Sequence, residues 1–125
     1  MKFTMQDGLP FITVELIIKG IKISVNNVLI DTGSATSLFS VDYLFEYGIE
    51  PEPTDRIRRM TGIGGEEFVF EKLIDKLSID NLIAEHPVIQ VGAMDYGFHI
   101  NGIIGSNILL QTNARINFKE MLIGK

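Results

Sequence analysis

Residues 28–40 read VLIDTGSATSLFS, and Asp31 is the residue in this chain best placed to do chemistry. It closes an apolar run, Val28-Leu29-Ile30, that reads as a buried strand. A carboxylate in that position is costly unless something satisfies it or uses it. Satisfied, it would open a turn or cap a helix, roles that Asp, Thr and Gly all favour. Used, it would serve as an acid or a base. The triplet Asp-(Ser/Thr)-Gly arises by chance in roughly one chain in twenty of this length, so it is weak alone. Two later features strengthen it: a glycine cluster, GIGG at 62–65, and the apolar-apolar-glycine of Ile103-Ile104-Gly105. The three together, in that order in a short β-rich chain, are much more specific.

Other chemistry has little support. There is no cysteine, which removes disulfides, thiolate metal sites and thiol nucleophiles. His86 precedes Pro87 and His99 lies between Phe98 and Ile100, with no carboxylate at ligand spacing, so no metal site and no cofactor is expected. Ser34 and Ser106 lack the Gly-x-Ser-x-Gly elbow of serine hydrolases. Glu66-Glu67 and the acidic stretch from Glu46 to Glu52 read as solvated surface.

The elements that must position Asp31 are mostly strands. Ile12, Val14, Leu16 and Ile18 alternate with Thr13, Glu15 and Lys19, interrupted by Ile17, the pattern of a half-buried strand. Lys19-Gly20 supplies a turn, and Ile21, Ile23 and Val25 resume the alternation, so a hairpin should lead into the strand that ends at Asp31. VDYLFEYG at 41–48 is a candidate short helix with Ser40 as N-cap and Gly48 as terminator. Pro51 and Pro53 mark a loop. RIRRMTG, EEFVFEKL and KLSID form a second β-rich block around the glycine cluster, and PVIQV at 87–91 reads as a further strand. GIIGSNILLQTN runs from a strand through a glycine into a short helix, and ARINF and MLI close the chain as strands. The expected fold is mainly β, a small closed or partly open barrel with one or two short helices.

Bulk properties bound the rest. The 125 residues fit one domain, 1–125, and with 46% hydrophobic and 22% charged residues they can fill a core. No apolar stretch approaches the roughly 18 residues of a membrane span, so no membrane partner is expected. MKFTMQDGLP lacks the apolar core of a signal peptide, and with the missing cysteines this points to the cytoplasm. A net charge of −5 argues against nucleic acid as a partner. RIRR at 56–59 is the one dense basic run and reads as solvated surface.

LIDTGS resembles the catalytic loop of retropepsin-type aspartic proteases, the single-domain family of retroviral proteases and their bacterial relatives. MTGIGGEEF resembles that family's flap, a β-hairpin that closes over substrate, and GIIGSNILLQTNARINF resembles its C-terminal segment. The resemblance spans about Phe11 to Phe118. The chain departs from the retroviral pattern at two matched positions. Ala35 and Ser106 stand where an acidic residue and an arginine usually pair, so both partners of that brace are absent together, and neither leaves the other buried and unpaired.

The resemblance implies an aspartic endopeptidase acting on extended peptide or protein substrates. Its mechanism needs two facing carboxylates holding one proton between them. With one Asp-Thr-Gly per chain, the second carboxylate would come from a second copy, so a homodimer is implied. Asp31 would be catalytic, Gly33 would offer its N–H to the carboxylate, and Thr32 would send its hydroxyl across the dimer axis. Ser34 could donate to Asp31 and lower the apparent pKa of the pair, favouring mildly acidic pH. Substrate contacts would come from Ser34, Ala35, the flap residues Gly62, Ile63, Gly64 and Gly65, and Ile104, while residues 103–105 as a unit support the loop from beneath. Two rival readings remain: the same fold as a catalytically silent dimerisation or peptide-binding module, and an unrelated small barrel in which Asp31 merely caps a turn.

Overall fold

The computed structural model describes residues 1–62, 65–95, 97 and 99–125, with the side chains of 60–62, 65 and 66 outside the description. The first strands follow the alternation. β1 (Thr4–Gln6) pairs antiparallel with β2 (Leu9–Ile18), and β2 pairs with β3 (Ile21–Ile30). The β2–β3 turn places Lys19 at φ 51° and Gly20 at φ 76°, the left-handed pair that matches the twist of a tight hairpin.

One irregularity in this hairpin decides which way Asp31 faces. The register runs Ile12↔Val28 and then Val14↔Val25, so β3 carries an extra residue at Asn26-Asn27, with Asn27 at φ 52°. Ile23 and Val25 are buried before this bulge, and Val28 and Ile30 after it. The buried parity has changed from odd to even. Without the bulge, Asp31 would share the core face with Ile23 and Val25; with it, Asp31 follows Leu29 on the outer face.

β4 (Leu38–Ser40) leads into α1 (Val41–Phe45), where the Ser40 hydroxyl accepts the Tyr43 N–H at 3.2 Å as an N-cap. The helix is shorter than the sequence pattern suggests, and Gly48, at φ 79°, closes the turn that follows it. β5 (Arg56–Gly62) and β6 (Gly65–Leu73) form an antiparallel hairpin in register from Arg56↔Glu71 to Gly62↔Gly65. β7 (Lys76–Ile79) and β8 (Leu82–Glu85) form another, followed by β9 (Val88–Gly92) and β10 (Gly102–Ile104). α2 (Ser106–Gln111) and a small two-stranded sheet of β11 (Arg115–Asn117) and β12 (Leu122–Gly124) complete the chain.

The main sheet has ten strands in the order β5-β6-β9-β4-β10-β3-β2-β7-β8, with β1 added on β2. No closed barrel forms among the described residues: the path ends on β5 at one side and β8 at the other, and the expected closure is not found. The sheet instead curls over one core, in which Val14, Leu16, Ile23, Val28, Phe39, Leu44, Leu77, Ile89, Ile104 and Ile108 are inaccessible to solvent. β10 lies between two strands that are neighbours in sequence. It runs parallel to β3, with Ile104 opposite Ile30, and antiparallel to β4, with Ile103 opposite Leu38. The loop from Asp31 to Ser37 must therefore bridge the end of β10, and that placement creates the site.

Candidate active site

Asp31 enters the loop tied to β10 by its own amide, which donates to the Ile104 carbonyl at 2.9 Å. Its carbonyl accepts the Ser34 N–H at 3.2 Å, closing a turn. Its carboxylate Oδ1 accepts the Gly33 N–H at 3.0 Å, the donor that the sequence assigns to that task. Asp31 is half-buried, while Thr32, Gly33 and Ala35 are exposed. The loop thus presents a carboxylate to solvent with one oriented amide on it. Among the described residues no other donor reaches the Asp31 carboxylate, and no second carboxylate of the same chain completes a pair there.

The Ser34 hydroxyl does not reach Asp31. It donates to the Thr36 carbonyl at 2.8 Å, because the chain turns back toward β4 and brings that oxygen beneath it. The donation from Ser34 to Asp31 expected from the sequence is therefore not made, and the Gly33 N–H is the donor found on the carboxylate among the described residues. Ser34 is a loop-stiffening residue in this arrangement. Its carbonyl accepts two bonds from α2, one from the Ser106 N–H at 2.7 Å and one from the Ser106 hydroxyl at 3.0 Å.

Beneath the loop lies a polar layer that sequence reasoning missed. Ser37 is fully buried; its hydroxyl donates to Asn107 Oδ1 at 2.7 Å and accepts the Gly105 N–H at 2.9 Å. Asn107 in turn donates to the Val88 carbonyl at 3.3 Å. The Thr36 hydroxyl meets Gln90 Oε1 at 3.0 Å, and the Gln90 N–H donates to the Ser37 carbonyl at 2.8 Å. Gly105 makes this packing possible: a Cβ there would lie 2.0 Å from the Thr36 carbonyl oxygen and 2.7 Å from that of Ser34. Ser106 and this neutral layer hold the loop in place. A Ser-Asn step directly after the apolar-apolar-glycine was the available signal.

The remaining expected residues divide. Ile104 is fully buried in the core, on the sheet face opposite Asp31, so its side chain supports the strand and does not reach a peptide. Gly62 and Gly65 face each other at the end of the β5–β6 ladder; Ile63 and Gly64 lie outside the described residues. In the sheet order β9, β4 and β10 separate this hairpin from β3.

No family model and no curated protein matches this chain. Among solved structures it is similar to a retropepsin-like aspartic protease from Rickettsia conorii, with a TM-score of 0.66 across 96% of this chain and 92% of that one, at 19% identity. At that identity the likeness shows a shared fold: mainly β, with two short helices, in the retropepsin-like arrangement.

Proposed function

We propose that this chain is one half of a homodimeric aspartic endopeptidase whose site forms where two Asp31 loops meet. The observation that carries this reading is the Asp31 carboxylate: it stands on the outer face of its strand, oriented by the Gly33 amide, in a loop that Gly105 and Ser106 hold through Ser37 and Ser34. One chain supplies one such carboxylate, and the chemistry requires two. Facing each other, they cannot both ionise and so share one proton. The ionised partner accepts a proton from a water molecule while the water oxygen attacks the scissile carbonyl carbon. The neutral partner gives its proton to the carbonyl oxygen, forming a gem-diol. As the C–N bond breaks, the protonated carboxylate gives its proton to the leaving nitrogen while the ionised one takes one proton from the diol. The products are a carboxylic acid and an amine, and the pair again holds one proton. The β5–β6 hairpin would cover an extended peptide, whose backbone it meets with Gly62 and Gly65.

The test is cleavage of a diverse peptide library, across acidic to neutral pH, by the parent and Asp31→Asn, with dimer state recorded alongside. Each dimer variant loses both its acid and its base, each contributing about 10²–10⁴-fold, so the rate should fall by more than about 10⁴-fold while the dimer persists. A folded parent dimer that binds peptides and cuts none of them would instead support a peptide-binding module on the same fold.

A further inference from the structure

The β5–β6 hairpin is a cantilever. Among the described residues, β6 pairs with β9 from Phe70 to Leu73, and β5 stands at the edge of the sheet beside β6. Among those residues, the ladder partners of Arg59 to Gly62 and of Gly65 to Phe68 are each other. The orientation of this arm is therefore set at its base.

The base holds an unusual group. Along β6 the alternation Phe68, Phe70 continues inward to Lys72, where an apolar residue would be expected, and Lys72 is 4% exposed. The register Arg56↔Glu71 puts Asp55 at the next position, opposite Lys72. Lys72 Nζ meets Asp55 Oδ2 at 2.5 Å, with the two side chains 5% and 6% exposed. Asp55 Oδ2 also accepts the Glu52 N–H at 2.8 Å, and the Asp55 N–H donates to the Glu52 carbonyl at 2.9 Å, so residues 52–55 close on themselves around the ion pair. Glu52 Oε1 then links Lys72, at 3.5 Å, to Lys19, at 2.6 Å, on the β2–β3 turn. The chain of charges runs from the hairpin base to the hairpin whose second strand, β3, leads into Asp31.

We infer that the buried Lys72–Asp55 pair, extended through Glu52 to Lys19, is the fulcrum that sets the angle of the β5–β6 arm over the peptide site; the arm's role there rests on the protease reading above. A buried ion pair adds little net stability compared with well-packed apolar residues. What it supplies is direction, because a charge pair with fixed hydrogen bonds admits one geometry where an apolar contact admits several. Lys72 and Asp55 are thus positioning residues: they touch no substrate and act through the arm.

The experiment compares the parent, Lys72→Met, and the double variant Lys72→Met/Asp55→Leu, which restores apolar packing without the pair. Amide hydrogen exchange is read without substrate over β5–β6 and, as reference, over β2–β3; KM and kcat are read with a cleaved peptide. The expected result is that exchange in Arg56–Gly62 and Gly65–Phe68 quickens by at least about tenfold in both variants, with β2–β3 changed far less. KM rises with kcat nearly unchanged, although the double variant regains the parent's resistance to urea. The inference is overturned if the double variant recovers hairpin exchange and KM together with stability, or if exchange quickens equally in both hairpins. Because exchange needs no turnover, a parent that cleaves nothing would remove the protease reading and leave the fulcrum to be decided by exchange alone.

Discussion

Replacing Gly105 with alanine tests whether the loop carrying Asp31 is held by close backbone packing. The substitution is conformationally undemanding, since Gly105 has φ −97° and ψ −176°, extended values that any residue adopts. The obstacle is space. The new Cβ would sit 2.0 Å from the Thr36 carbonyl oxygen and 2.7 Å from the Ser34 carbonyl oxygen, both backbone atoms. Carbon and carbonyl oxygen approach to about 3.3 Å at closest, so α2 and the loop must part by more than an ångström. That movement breaks the Gly105-to-Ser37 bond and the two Ser106 bonds to Ser34. Overpacking of this kind costs about 1–3 kcal/mol, and three hydrogen bonds add about 1 kcal/mol each. The total, about 4–6 kcal/mol, approaches the whole stability of an ordinary domain, about 5–15 kcal/mol. The chain has no tryptophan, so urea unfolding is best followed by circular dichroism, at one fixed protein concentration because association shifts apparent stability. Gly124→Ala is the matched control, since nothing lies within 4 Å of a Cβ there. A Gly105→Ala protein that unfolds within about 1 kcal/mol of the parent, with the same denaturant slope, would refute the packing argument.

Two other expectations concern stability. Ser37→Ala leaves the Gly105 N–H and Asn107 Oδ1 without their buried partner, which should cost about 1–3 kcal/mol in urea unfolding, whereas Ser37→Thr, which keeps the hydroxyl, should recover part of it. The second concerns pH. The Lys19 hydrogen bond lowers the Glu52 pKa below its ordinary value, burial opposes the shift, and the Lys72 charge lowers it further. As pH falls, the unfolded chain therefore takes up this proton first, so the contribution is complete above the unfolded value, about 4.3, and lost as pH falls through the lower folded one. The stability difference between the parent and Lys19→Met should accordingly close below that pH; a difference that stays constant in urea unfolding down to lower pH would contradict the assignment.

Much of this fold is legible in the residues because local chemistry and the global arrangement agree. RIRRMTG is β5 to the residue, Lys19-Gly20 adopts the left-handed turn, and Ser40 caps α1. The short strands β1, β4 and β8 leave no clear alternation, because three or four residues hold at most two inward positions and a neighbouring strand decides their state. That no barrel closes among the described residues also has no local signature, since pairing between distant strands is set by where each edge finds a partner. At the site, the Asp31 motif declares itself, but its support does not. Ser37 and Asn107 look like a loop serine and a helix-cap asparagine, and their bond spans 70 positions of sequence.

The orientation of Asp31 shows how a site can depend on a residue that carries no chemistry. Read as a continuous strand, β3 would put odd-numbered side chains inward from Ile21 to Asp31. A bare carboxylate would then enter the core, the costly situation that the apolar run before it suggests. Asn26-Asn27 prevents this by inserting one extra residue opposite β2. Asparagine suits the position because its short polar side chain tolerates the left-handed backbone that Asn27 adopts at φ 52°. The Asn26 carbonyl and side-chain oxygen both accept bonds from Asn101 Nδ2, at 2.9 and 2.8 Å, just before β10 begins. The same asparagine pair that turns Asp31 outward therefore anchors the approach to the strand whose Ile104 carbonyl receives the Asp31 amide. Two polar residues in the middle of an alternating strand, which look like a fault in the pattern, are what keep the apolar face continuous and the carboxylate in water.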